Sequence, residues 1–314
     1  MQSGLVVVDK PMGWTSHDVV ARVRKLYGQR RVGHAGTLDP DATGVLLVGL
    51  GRVTRLLRFL QETDKEYRGD VVFGVATSTL DAAGEVLDRR PLPVTREQVE
   101  RVAQQFVGEI DQVPPMVSAI KVGGKRLHEL ARAGEEVDRA PRRVHIGRVD
   151  VEAFVPGAYP VATIHVVCGS GTYIRSLAAD LGTALGGLAH LGSLRRLRVG
   201  AFTEHDARDL ETIAAAPDGA LLSPREAMRA LEPFVVDADQ ARAVGHGMTF
   251  PVTVADTAGL GPGPFAVVGP DGELLAVYER RGAALRPAVV VAIQERTERP
   301  AGEIAGAGSA ESDP

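Results

Sequence analysis

A single cysteine, Cys168, in 314 residues excludes an internal disulfide and any multi-cysteine zinc or iron–sulfur centre. Reduced cytosol is the compartment this implies. Aromatic residues make up only 4% of the chain, too few for a sheet surface that reads single-stranded bases by stacking. No stretch approaches the roughly 18 consecutive apolar residues of a membrane-spanning helix. Met1–Gly4 runs straight into Leu5–Val8 without a basic leader or cleavage site, so no signal peptide is expected. Nucleotide and hydrolase signatures are also missing. Gly123-Gly124-Lys125 is followed by Arg126 rather than a hydroxyl residue, Gly169-Ser170-Gly171 lacks a third glycine, and no Gly-x-Ser-x-Gly elbow occurs. His34, Asp39 and Asp41 lack the helical spacing of a zinc site and the oxygen pattern of a calcium loop.

What is present describes a folded globular chain. Apolar residues make up 44% and charged residues 24%, and the length favours two domains. The net charge of −4 hides segregation. Eleven Lys/Arg lie between Lys10 and Arg68 against eight Asp/Glu from Asp9 to Asp70, and eight against four lie between Lys121 and Arg148. From Glu295 onward, two basic residues meet five acidic ones. A basic face with a compensating acidic tail is compatible with a polyanionic partner without requiring one.

Leu5–Val8 reads as a buried strand that ends at Pro11-Met12-Gly13. Thr15–Asp18 offers capping oxygens to a following amphipathic helix. Gly33–Gly44 is expected to be one long glycine-rich loop, leading into the apolar strand Val45–Leu50. Further strands are expected over Arg68–Val75, Val149–Phe154, Val161–Cys168 and Leu194–Gly200, with a helix over Thr95–Val107 opened by a Thr95/Gln98 capping box. Thr172 is expected to cap a helix running to about Leu185, and Asp206–Met228 to be helical with breaks at Pro217 and Pro224. The basic stretch from Pro114-Pro115 to Arg143 reads as an excursion from the core. After Phe234, short strands such as Phe265–Val268 and Leu274–Tyr278 between Gly/Pro turns suggest a small β-rich barrel, closed by Val289–Ile293. Thr297–Pro314 reads as a disordered tail.

The Gly33–Gly44 loop holds one histidine and two carboxylates in a backbone shaped by glycine. Taken singly, Asp39 could simply initiate a turn with Pro40. Four segments read in order are more specific: Asp9-Lys10-Pro11-x-Gly13-x-Thr15-Ser16, then Gly33-His34-x-Gly36-Thr37-Leu38-Asp39-Pro40-x-Ala42-x-Gly44, then Lys65-x-Tyr67, then Gly171-Thr172-Tyr173-Ile174-Arg175-x-Leu177-x-x-Asp180-Leu181-Gly182. Together they closely resemble the TruB-type tRNA pseudouridine synthases, over about residues 5 to 200 and more loosely beyond.

That resemblance implies an α+β fold: a catalytic domain over 1–232 with a long, mixed, largely antiparallel sheet and a basic insertion near 115–145. A small β-rich PUA-like RNA-binding domain over 233–295 and a disordered tail over 296–314 would follow. It implies an isomerase that flips the T-loop uridine at position 55 of tRNA out of its stack and converts it to pseudouridine. The reaction has no net redox change and no hydrolysis, so no cofactor and no metal are expected. Asp39 matches the family's aspartate, a carboxylate able to form and release an ester. Arg175 matches its cationic partner, expected to keep Asp39 ionised against desolvation. Tyr67 matches the tyrosine that stacks on the flipped base and handles its proton. His34, Tyr173, Leu194 and Lys10 match substrate-binding positions, His34 at the space the flipped bases vacate. Lys121, Lys125, Arg126, Arg142, Arg143 and Arg195 are candidates for RNA backbone contacts, with Arg196 and Arg198 extending the track. The partner implied is the T-arm of tRNA, met in the cytoplasm by a monomer without a membrane or an obligate protein partner. Two other readings are a tRNA-folding chaperone and a guide-RNA-dependent synthase.

Overall fold

The computed structural model describes residues 2–118, 137–251 and 261–291, and the backbone of 121–122 and 125–126. The chain divides into two compact units, Met1–Glu232 and Pro233–Pro314.

In the first unit, strands β1 (Gly4–Lys10), β2 (Val32–Ala35), β3 (Thr43–Leu50), β4 (Lys65–Phe73), β5 (Val75–Thr77), β6 (Val86–Arg89), β7 (Gly108–Gln112), β8 (Lys121–Val122), β9 (Lys125–Arg126), β10 (Arg142–Val155), β11 (Val161–Cys168), β12 (Ala189–Val199) and β13 (Phe202–Thr203) follow in order. The main sheet runs β1-β3-β12-β4-β11-β10-β7, with β2 paired to β3 and β13 to β12. Within the main sheet β12 and β3 pair in parallel, joining Arg195 to Thr43 and Arg196 to Gly44. β5 and β6 form a separate ladder, as do β8 and β9.

Local chemistry explains the elements around the site. Val6 and Val8 on β1 pack with Leu46, Val48 and Leu50 on β3 and with Val19, Val20 and Val23 of helix Ser16–Leu26. Thr15 and Asp18 form a reciprocal capping box at that helix, and Thr95 and Gln98 form another at helix Arg96–Ala103. Helix Ile174–Ala184 lays Ile174, Leu177, Ala178 and Leu181 against Tyr67, Val71, Phe73, Ile164 and Val166 of the central strands.

Several expectations need correction. The ends of the Gly33–Gly44 stretch are strand rather than loop: Gly33–Ala35 complete β2, with Gly33 paired with Gly49 and Ala35 buried, and Thr43 and Gly44 open β3. Tyr173, not Thr172, stands at the start of the helix, with no side-chain cap; the Thr172 hydroxyl donates instead to the Gly169 carbonyl at 3.1 Å. Arg142 and Arg143 belong to β10, within the main sheet. The helical reading of Asp206–Met228 resolves into short helices Leu210–Ala215 and Pro224–Ala227 and a 3-10 turn over Asp218–Ala220.

The second unit carries a five-stranded sheet in the order β14 (Glu232–Val235), β16 (Phe265–Val268), β17 (Leu274–Arg281), β18 (Ala284–Val290), β15 (Phe250–Pro251). Helix Ala238–Gly245 contributes Val244 to its core with Val236, Phe265, Val267, Tyr278 and Leu285. The tail expected to be disordered and Ile293 lie outside the described residues.

Candidate active site

The loop between β2 and β3 is clamped residue by residue, on one side by the Asp9–Ser16 motif and on the other by Arg196 of β12. Ser16 Oγ accepts from the Leu38 N–H at 2.9 Å and donates to the Leu38 carbonyl at 3.1 Å. Pro40 O accepts from Lys10 Nζ and from the Gly13 N–H, both at 2.9 Å. Gly36 O accepts from Arg196 Nη2 at 3.1 Å. Asp39 is therefore presented from a backbone pinned on both sides.

Arg175, from the first turn of helix Ile174–Ala184, meets Asp39 twice, Nε to Oδ2 at 3.0 Å and Nη2 to Oδ1 at 3.1 Å. This fork-on-fork geometry fixes direction as well as charge. The guanidinium is buried and fully engaged: Nη1 reaches Asp81 Oδ2 at 3.3 Å and Thr79 O at 3.1 Å, and Nη2 reaches Val117 O at 2.8 Å. Burial pushes the Asp39 carboxyl above the usual carboxylate range, Arg175 pulls it back, and Asp81 adds to the rise. The guanidinium was expected to cancel the cost of desolvation; the net direction is still upward, because burial outweighs the pull of Arg175 and Asp81 adds to the rise.

Asp39 and Arg175 share a cavity of about 310 Å³ with Leu38, Lys65, Tyr67, Tyr173, Leu194 and Arg196. Its walls come from the β2–β3 loop, β4, β12 and the Gly169–Arg175 turn, with Gln61 and Ser118 adding to them. Tyr67 is buried on β4. Burial pushes its phenol up, while the Arg196 cation works against that shift. Tyr173 is held by its own backbone, its N–H donating to Gln112 Oε1 at 2.8 Å and its carbonyl accepting from Gln112 Nε2 at 3.1 Å. A second cavity of about 330 Å³ lies on the other flank of the Asp39–Arg175 pair, lined by Met12, Asp41, Asp81 and Leu191 among others.

Of the residues chosen from the sequence, Asp39, Tyr67, Arg175, Tyr173 and Leu194 meet in one cavity. Lys10 does not line it. Its side chain is fully buried and its ammonium donates to Pro11 O, Trp14 O and Pro40 O at 2.6–2.9 Å, so it is a strut beneath the loop. His34 also stands apart, edge-on to His17 with ring centroids 5.5 Å apart. Its Nδ1 is buried without a hydrogen-bond partner, and burial pushes the imidazole down to about 4. Arg143 is paired with Asp111 at 2.8 Å, and Arg195 with Asp9 at 3.0 Å and Glu204 at 2.6 Å. Arg142 is exposed at the start of β10. The side chains of Lys121, Lys125 and Arg126 lie outside the described residues.

Sequence reading missed Asp81, Gln112 and Ser118 and misplaced Arg196. Asp81 follows Leu80, whose φ of +63° is the left-handed outlier among the described non-glycine residues. Such strain at a turn persists where surrounding contacts fix it. Here Leu80 O accepts from the Leu191 N–H at 3.0 Å, and the Ala82 N–H donates to Leu191 O at 2.9 Å. A capping-type Ser-Thr-x-Asp cluster was the only signal available.

Comparison with known proteins identifies the family. The profile "TruB family pseudouridylate synthase (N terminal domain)" matches residues 24–174. Those of the "tRNA pseudouridylate synthase B C-terminal domain" and "tRNA Pseudouridine synthase II, C terminal" match 175–241 and 233–292. The chain is 46% identical over 299 residues to the tRNA pseudouridine synthase B of Thermobifida fusca, spanning 93% of this chain and 99% of that protein. It is 46% identical over 293 residues to that of Rhodococcus jostii, spanning 92% and 94%. Among solved structures, a Cbf5-Nop10-Gar1 complex superposes with a TM-score of 0.70 at 27% identity over 91% of this chain and 84% of that chain. An H/ACA RNP bound to a substrate RNA containing 2'-deoxyuridine shares the fold, with a TM-score of 0.69 at 24% identity over 93% and 86%. By these matches over nearly its whole length, the chain belongs to the TruB family of pseudouridylate synthases.

Proposed function

We propose that this protein isomerises the T-loop uridine at position 55 of tRNA to pseudouridine, with Asp39 as the reacting carboxylate. The observation that carries the reading is the fork-on-fork Asp39–Arg175 pair at the side of a cavity that also holds Tyr67, Tyr173 and Leu194. The named relatives, tRNA pseudouridine synthases B, support tRNA as the substrate.

Pseudouridylation breaks the bond from ribose C1′ to uracil N1 and makes one from C1′ to C5. The base is stacked in folded tRNA, so it must be flipped into the cavity, at a cost of a few kcal/mol of unstacking. Tyr67 stacks on the flipped ring, and Leu194 and Tyr173 close its sides. Asp39 carries its charge at the cavity wall, where it can bond transiently to carbon and be released as carboxylate. Arg175 holds that carboxylate in one rotamer and in its ionised form. Because both protonation and direction depend on Arg175, loss of either partner should disable the site. The reaction is internally balanced and uses no cofactor.

Residues 1–232 are the synthase domain and 233–295 a PUA-like RNA-binding domain; the basic insertion near 115–145, with Arg142 and Arg143, grips the T-arm by its phosphates. The protein acts alone, as a monomer, in the cytoplasm. Mapping of pseudouridines in total RNA tests this reading. Cells lacking the protein should lose the T-loop modification and regain it with the wild-type gene but not with Asp39→Asn. An unchanged modification map would exclude the reading.

A further inference from the structure

Arg196 is, among the described residues, the largest side chain with essentially no exposure, at 1%. Among the described residues, no carboxylate lies within ion-pair distance of it. Burying an unneutralised charge is costly unless fixed dipoles hold it. Here Nε donates to Val45 O at 2.7 Å and Nη2 to Gly36 O at 3.1 Å, carbonyls at the two ends of the Asp39 loop.

The sequence is shaped around this side chain. Gly44 has φ of +99°, and a Cβ there would sit 2.2 Å from Arg196 O. Gly36 has φ of +83°, and a Cβ there would come within 3.3 Å of Arg196 Nη1. Two glycines of the loop motif therefore make room for Arg196 as well as setting turns. On β12, Arg196 stands directly across from Tyr67 of β4 and, on the other side, from Gly44 of β3. Both side chains line the same cavity, and the Arg196 cation favours the ionised Tyr67 oxygen against the effect of burial.

We propose that Arg196 is a positioning residue of the isomerisation: it fixes the Tyr67 hydroxyl against the flipped ring as acceptor of the C5 proton, and ties that hydroxyl to the loop carrying Asp39. The proposal rests on the placement of Tyr67 against the flipped base. Once C1′ is bonded to C5, that carbon bears both the sugar and a hydrogen, and N1 is doubly bonded to C6. The C5–H pair becomes the C5–C6 double bond, and the N1–C6 π pair moves onto N1. The Tyr67 oxygen, in its ionised form, takes the proton leaving C5 and then passes that proton to N1. One proton is lost and one gained, so no further reactant is consumed. The charged and titratable groups lining the cavity with Tyr67 are Arg196 on β12, Lys65 on its own strand, and Asp39, Tyr173 and Arg175, and Cys168 on β11 also acts on it. Of these, the nearby Arg196 cation favours the oxygen that has given up its proton.

The test is single-turnover pseudouridine formation on an unmodified tRNA transcript across pH, with tRNA affinity measured separately. Arg196→Gln should slow turnover by about 100-fold, leave affinity nearly unchanged, and move the rate's rise to more alkaline pH. Arg196→Lys, which keeps the charge, should recover part of the rate and of the profile. In a Tyr67→Phe background, Arg196→Gln should add little further loss, because the pair acts as a unit. Losses that simply add, or a slowed rate with an unmoved pH profile, would overturn the proposal. If Arg196→Gln does not fold, Arg196→Lys alone and combined with Tyr67→Phe carries the same criteria. A wild-type protein that forms no pseudouridine would instead remove the underlying functional reading.

Discussion

Arg175 grips Asp39 through two parallel contacts, at 3.0 and 3.1 Å, while a third donor of the same guanidinium reaches Asp81 at 3.3 Å. One buried cation thus serves two carboxylates. Asp81→Asn should remove a charge-assisted contact of about 1.5–3 kcal/mol, lowering turnover about 10- to 100-fold. Asp81 raises the Asp39 carboxyl, so its neutralisation should shift the acid limb of the pH–rate profile to lower pH. A limb moving upward would contradict this electrostatic arrangement.

His34 ties stability to mild acid. In the unfolded chain an imidazole takes a proton near pH 6.5, whereas in the folded protein burial, aided by His17 and Arg196, holds His34 down to about 4. Between those values the unfolded state binds the extra proton, so stability should fall as pH drops from about 6.5 toward 4, by at most about 1.4 kcal/mol per pH unit. Urea midpoints at pH 7 and pH 5 measure it. His34→Gln should flatten the difference; an equal slope in the variant would refute it.

Gly44→Ala should be severe for a residue of one extra carbon. The new Cβ meets the Arg196 carbonyl at 2.2 Å, in a backbone conformation with φ of +99°. At least about 2 kcal/mol of stability should be lost, readable by denaturant unfolding, with Gly13→Ala as the control. Gly13 shares a positive φ, but nothing lies within 4 Å of its added Cβ, so it should cost less.

Binding to tRNA should weaken steeply with salt, because phosphate contacts release counterions. Lys125→Ala should reduce the slope of log affinity against log salt by about one contact's worth, about 0.7–0.9. Turnover at saturating tRNA should be unchanged. A salt-insensitive affinity would argue against backbone contacts from the insertion.

The parts of the fold legible in the sequence were those with local causes. Thr15/Asp18 and Thr95/Gln98 announced their helices because a capping box is complete within four residues. Val161–Cys168 is readable as β11 because its β-branched residues favour a strand on their own. Asp39, Tyr67 and Arg175 could be chosen from motif order, although their meeting point depends on β4 and a helix more than 100 residues apart in the chain. Arg196 was hidden. Among Leu194–Val199, basic residues at 195, 196 and 198 read as one surface track; strand alternation separates buried Arg196 from Arg195, and a register irregularity separates it from Arg198. Gly33 and His34 have little intrinsic strand preference, so β2 shows only once β3 is beside it. Asp81 reaches Arg175 through a strained Leu80 that no residue type signals.

The central claim is that an aspartate held by an arginine performs the isomerisation. Single-turnover assays of purified wild-type, Asp39→Asn and Arg175→Lys proteins on an unmodified tRNA transcript, with tRNA binding measured in parallel, test it most directly. The expected result is pseudouridine at the T-loop uridine with the wild type alone, none with Asp39→Asn, and a strongly reduced rate with Arg175→Lys, all three binding tRNA comparably. Turnover by Asp39→Asn at the wild-type rate would contradict it.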